Sequence, residues 1–287
     1  MKKNFIVVKV WGLLELVVFF VMAFIVAVIW KVVQFDNFWK VLLICFGISI
    51  PISIIIFLVM MHKENKNPAY KLQGDLKREL KNNGYTDRIL EIADQGIEAC
   101  GDVPGNKNYL KDFALFAAEC CIINHYTDRA LEYMNKIDVF EIQRRDVAYL
   151  DYGMTVASFY GVQMELCMEL HDPLRAKRVI EEGSTYLIDN YGKMPQIDVM
   201  IDDIYANYFY LIDDFDQAKE RVQRILNSQV YQNSKMINGH LLMALIAHRT
   251  GDTELKNMML NGAQRIMNET NRVISRQNYD YCIAQMQ

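Results

Sequence analysis

The stretch LKDFALFAAECCIINHYTDRALEYMNKI, residues 110–137, decides the fold. Ala114, Ala117, Ala118 and Cys121 make one side of its first half small and apolar, so that a helix there can lie close to a second one. That second helix starts after His125-Tyr-Thr-Asp and presents Ala130, Met134 and Ile137 at spacings of four and three. The two form a helical hairpin. A single hairpin cannot bury its own apolar face, so further copies must stack on it.

The copies are found by aligning the starts of the second helices: Tyr85-Thr-Asp-Arg-Ile89, Tyr126-Thr-Asp-Arg-Ala130, Asp172-Pro-Leu-Arg-Ala176, Phe215-Asp-Gln-Ala218 and Gly251-Asp-Thr-Glu-Leu255. Each places Thr, Asp or Pro where a helix begins, and each continues with apolar or small residues four and seven positions on, such as Ala93 and Gly96 or Ile180 and Gly183. First helices are predicted over 70–81, 110–124, 147–170, 199–212 and 237–248. A closing helical tail over 271–285 is expected to cover the open end. Gly101-Asp-Val-Pro-Gly105 and Asp189-Asn-Tyr-Gly192 punctuate the loops.

In this pattern the chain resembles tetratricopeptide repeats. Ala114, Ala118, Cys121, Ala130, Met134 and Ile137 fit the family's small and large apolar positions, and Tyr160, Met164, Cys167, Ala176, Ile180 and Gly183 fit them again. The resemblance spans about 70–267 and implies a stack of helix pairs that binds protein or peptide. The equivalent positions 89, 130, 176, 218 and 255 are 41, 46, 42 and 37 apart, where the family repeats every ~34 residues, and the family's proline and tryptophan are missing. A generic α-solenoid is therefore the alternative, and no ligand-clamp residue is carried over.

Ahead of the repeats the composition changes. The chain is 52% hydrophobic with 287 residues, but residues 10–33 carry only Glu15 and Lys31 as charges, and 41–61 carry none. At 1.5 Å per residue each run can cross a ~30 Å hydrocarbon core. The expectation is all-α: a two-helix transmembrane hairpin over 1–61, a linker over 62–69, and a repeat domain over 70–287. The first run is too long for a signal-peptide core. Trp30, Phe35, Phe38 and Trp39 gather at the turn as an interfacial belt would. Lys2, Lys3, Lys9, Lys63, Lys66 and Lys71 outnumber Lys31 and Lys40, which places both termini and the repeats in the cytoplasm of a cell-membrane protein. Glu15 is the intramembrane polar residue, read as structural or as an assembly contact. Pro51 should kink the second span, and Gly12 and Gly47 permit close approach.

Chemistry is sparse. Nucleotide-binding, nucleophile-elbow and zinc-protease motifs are missing, so neither an enzyme nor a cofactor is expected. Net charge is −4, with the positive share in the apolar part, which argues against nucleic acid. Cys121 and His125 sit at i, i+4 without a second ligand pair, so no metal is expected. Glu165 and Glu169 read as a solvated helix face. Six unpaired cysteines suit a reducing compartment; Cys120 and Cys121 are adjacent but diverge on a helix. The candidate recognition surface is Asp198, Asp202 and Asp203 with Tyr205 and Tyr208, whose carboxylates would favour a basic protein or peptide partner. A homo-oligomer is compatible with it. The sequence thus points to a membrane-anchored binding scaffold, or alternatively to an accessory subunit of a transport, secretion or signalling complex that assembles through its spans.

Overall fold

The computed structural model describes residues 66–101, 106–143, 149–228, 234–270 and 272–286, with 47, 50–56 and 58–59. The chain divides into two compact units, Met1–Tyr70 and Lys71–Gln287. In the first, 50–56 and 58–59 are helical, and Ile50, Ile52, Ile54, Ile55, Leu58 and Val59 are all exposed. Among the described residues no helix is long and apolar enough to cross a membrane. The first expected span, Glu15 and most of the second lie outside those residues.

The repeat region is all-helical among the described residues, and its helices fall into successive pairs. The first helices are α1 (Pro68–Asn83), α3 (Lys107–Ile123), α6 (Tyr149–Glu169), α8 (Pro195–Leu211) and α10 (Ser234–Arg249). Their seconds are α2 (Asp87–Cys100), α4 (Thr127–Met134), α7 (Pro173–Asn190), α9 (Phe215–Asn227) and α11 (Thr253–Thr270). Each of α2, α4, α7 and α9 packs on the first helix of the following pair, and α3, α6, α8 and α10 stack on one another in order. This is the solenoid-like arrangement that the recurring pattern requires. A five-residue helix, α5 (Val139–Gln143), is inserted after the short α4 and packs on α6, which is why the interval from Ala130 to Ala176 is the longest.

The turn inside each pair places one residue in the left-handed region. Gly84, His125, His171, Asp213 and Gly251 all have φ between 48° and 77°, the left-handed region. In the last four turns the next residue's N–H reaches back five positions: Tyr126 to Cys121, Asp172 to Cys167, Asp214 to Phe209 and Asp252 to Ala247, at 2.8–3.0 Å. The left-handed residue itself bonds three positions back, to Ile122, Met168, Tyr210 and His248. These paired bonds satisfy the orphan carbonyls of the first helix and close it. Asp172, Asp214 and Asp252 then accept from the N–H groups of Arg175, Gln217 and Leu255, capping the second helix within one residue of the turn.

Close approach follows from small residues. Ala114, Ala117, Ala118, Ala130, Ala176, Ala206, Ala218 and Ala263 are fully buried. At Gly96 and Gly183 an added Cβ would fall 2.4 Å from the ring of Phe113 and 2.8 Å from that of Tyr160. Both rings are buried, so each glycine is the floor of an aromatic pocket.

The last helix, α12 (Val273–Ala284), packs on α10 and α11 of the final pair and also on α3. The expected tail thus does more than cover one end.

Candidate helix-binding groove

The stacked first helices present one continuous face, and α12 lies along it. Its contacts begin at the first pair. Gln277 Oε1 accepts from the Tyr85 N–H at 2.7 Å, and its Nε2 donates to the Tyr85 carbonyl at 3.2 Å. Farther along, Asn278 Nδ2 donates to Asn238 Oδ1 at 3.4 Å. Tyr281 donates its hydroxyl proton to Glu169 on α6. Glu169, nearly buried with an 11% exposed side chain, takes His125 Nδ1 on its other oxygen at 2.8 Å, and the His125 and Tyr281 rings stack 5.4 Å apart.

Between α12 and the first helices remains a cavity of about 300 Å³. Ile122, Met168, Leu241, Leu242 and Leu245 supply its apolar wall, while Glu119, Glu165 and Asp203 bring carboxylates from α3, α6 and α8. Ile274, Ser275, Asn278, Tyr281, Cys282 and Gln285 close it from the α12 side. Among the described residues none that lines it is basic. The phenols register this environment: burial, reinforced by Glu119 and Glu165, holds the pKa of Tyr85 well above the usual phenol value. Burial together with the bond to Glu169 does the same at Tyr281.

The structure distributes the sequence candidates over different tasks. Of the five, Asp203 lines the cavity, together with Asn207 one turn on. Asp202 is buried and faces away, towards α9, with Arg221 Nη1 at 2.7 Å and the Tyr191 hydroxyl donating to it at 3.2 Å. Tyr205 lies under the same guanidinium, 5.0 Å from ring centre to Cζ, and Tyr208 rests beside Phe209 at 5.4 Å. Asp198 accepts from the Gly192 N–H at 2.7 Å and ties down the loop before α8. Adjacent residues diverge by about 100° on a helix, so the stripe through 198, 202 and 205 and the stripe through 203 and 207 belong to different faces.

Glu165 and Glu169, expected on a solvated face, instead point into the groove. A repeat register would have found Glu165: Glu119, Glu165, Asn207 and Leu245 each stand six positions before a left-handed turn residue, and all four line the cavity. That register was hidden because His125, His171 and Asp213 occupy positions where glycine is the usual signal.

Among the described residues no group of three His, Cys, Asp or Glu is arranged to hold a metal ion. Cys121 is buried with its thiol pushed up to about 11, and the adjacent Cys120 up to about 12, in both cases chiefly by burial. Neither is poised as a thiolate. No family model matches the chain, and no curated protein or solved structure matches it either.

Proposed function

We propose that the chain is a membrane-anchored protein- or peptide-binding scaffold, with the face of its stacked first helices as the receptor surface. One observation carries this reading: that face already holds a helix, α12, by apolar contact and by side-chain bonds at Tyr85, Asn238 and Glu169. Helix-in-groove recognition uses this combination. The resemblance to tetratricopeptide repeats fits this reading, as do the recurrent left-handed turn and the buried Ala130, Ala176 and Ala218. The longest departure in repeat length is one inserted short helix. In this reading the protein binds and turns nothing over.

The anchor rests on the two apolar runs, on the exposed isoleucines between 50 and 55, and on the lysine bias that would keep the repeats at the cytoplasmic face. A groove fixed near the bilayer meets membrane-proximal partners at raised effective concentration.

Affinity capture from native membranes tests the reading. The full-length wild type and its Glu119→Lys/Glu165→Lys variant would be compared, with bound proteins identified by mass spectrometry. The expected result is a specific partner retained by the wild type and lost by the variant. An identical partner set for both, released only when the apolar N-terminal runs are exchanged for unrelated spans, would replace this reading with that of an accessory subunit.

A further inference from the structure

We propose that the outward side of α1, with Lys71, Arg78 and Lys81, docks on anionic lipid headgroups and so fixes which side of the repeat region faces the bilayer. This rests on the membrane-anchored reading, and adds how the repeat region is held at the surface and by what lipid chemistry.

α1 is divided lengthwise. Ala69 and Leu76 are fully buried and Leu80 is half-buried, and at 100° per residue these three share one narrow arc. Lys71, Gly74, Arg78, Lys81 and Asn82 fall on the opposite half and are all exposed. Lys77, at the edge, leans towards Asp112 on α3 at 3.8 Å. Two carboxylates lie near the stripe. Asp75 is covered by Arg78 at 3.2 Å, in a pair largely open to water that holds the guanidinium weakly, and Glu79 accepts from the Thr86 hydroxyl at 3.1 Å.

The sign of the charge is particular to this helix. Residues 66–81 hold Lys66, Lys71, Lys77, Arg78 and Lys81 against Asp75 and Glu79, whereas residues 82–287 hold 20 Lys and Arg against 30 Asp and Glu. An anionic surface attracts the first stretch and repels the second, so it orients the repeat region with α1 towards the bilayer. The lysine bias of a cytoplasmic flank needs only the number of charges; their segregation onto the half of α1 turned away from the core is what a flat, negatively charged partner uses. Basic clusters next to an apolar run bind anionic headgroups in this way. The attraction fades within about 10 Å, and the chain supplies the proximity: the second apolar run ends at Met61 and α1 begins at Pro68, a stretch that reaches at most about 25 Å.

The test places p-benzoyl-phenylalanine at Gly74, which is exposed in the stripe and has open space where a side chain would start. The full-length chain is inserted in nanodiscs of phosphatidylcholine with or without phosphatidylserine and irradiated, and lipid adducts are read by intact mass. The adduct is expected to rise at least about fivefold with phosphatidylserine, the gain of one basic side chain at an anionic surface. It should return to the phosphatidylcholine level at high salt and in Lys71→Glu/Arg78→Glu/Lys81→Glu, and persist in Lys71→Arg/Lys81→Arg. The same probe at Asn82 gives the same readout if position 74 does not accept it. Equal adducts in the two discs, no adduct in either, or a rise that survives charge reversal would overturn the proposal. Entry into pure phosphatidylcholine discs reads the anchor separately: a chain that enters but gives equal adducts loses only this inference, and one that enters neither disc loses the anchor as well.

Discussion

Gln277 holds both backbone polar groups of Tyr85, 192 positions away in sequence, and so joins the last helix to the first turn of the stack. The close approach is allowed because residue 84 is glycine: it has φ +74°, and a Cβ there would fall 2.1 Å from Gln277 Oε1. Gly84→Ala and Gln277→Ala should therefore act alike. Each loses about 1–2 kcal/mol of α12 docking, and each should expose Arg276 to trypsin while the remainder of the repeat region resists. Equal resistance in wild type and both variants, followed by intact mass, would contradict this link.

Glycine inside a helix normally costs about 1 kcal/mol relative to alanine, so Gly96→Ala and Gly183→Ala would stabilise an open site. Here the new methyl meets Phe113 or Tyr160, both buried. Overpacking of a rigid ring costs about 1–3 kcal/mol and outweighs the helix gain. Both variants should unfold at lower urea than the wild type; a higher midpoint would show that the rings shift freely.

Asp202 and Asp203 are neighbours with opposite expectations. Asp202→Asn removes the charge that holds Arg221 at 2.7 Å beneath a 5% exposed side chain. Breaking a fully buried pair costs about 3–5 kcal/mol; Arg221 is 22% exposed, so roughly half of that is expected here. Asp203→Asn, at the cavity wall, leaves the Asp202–Arg221 pair intact and should cost less than Asp202→Asn. Denaturation of the two variants side by side distinguishes them.

Alkaline pH should weaken the fold. Burial pushes the thiols of Cys121 and Cys167 up to about 11 and those of Cys120 and Cys282 up to about 12, from an ordinary value of 9.0. A raised acid is protonated in the folded chain and ionises first in the unfolded one, so stability is constant below about pH 8.5 and falls as pH rises towards 11–12. Tyr85 and Tyr281 act in the same direction. Urea midpoints at pH 8 and pH 10.5 check this, and equal midpoints would contradict it. At pH 8 these thiols should also resist iodoacetamide until urea is added.

The helix pairs were legible because their signals are local: small residues at 114, 117 and 118 for close packing, Asp172 before Pro173 as a helix start, and a four-and-seven apolar spacing after each turn; the cap at Asp214 was not read. The groove was less legible, since which face of α8 looks inward depends on the stacking of its neighbours. The acidic stripe at Asp198 and Asp202 was prominent in sequence, yet Arg221 claims Asp202 for the α8–α9 contact. The reach of α12 to the first turn could not be read, because it depends on a bond to Tyr85 that no periodicity records.

Photo-crosslinking in native membranes tests the receptor surface most directly. p-Benzoyl-phenylalanine would replace Asn207, in the cavity, and separately Leu174, 73% exposed on second helix α7. From position 207 the account predicts an internal crosslink to α12 together with a crosslink to a partner polypeptide, and from position 174 neither. Partner crosslinks from 174 but not 207, with no adduct on α12, would contradict it.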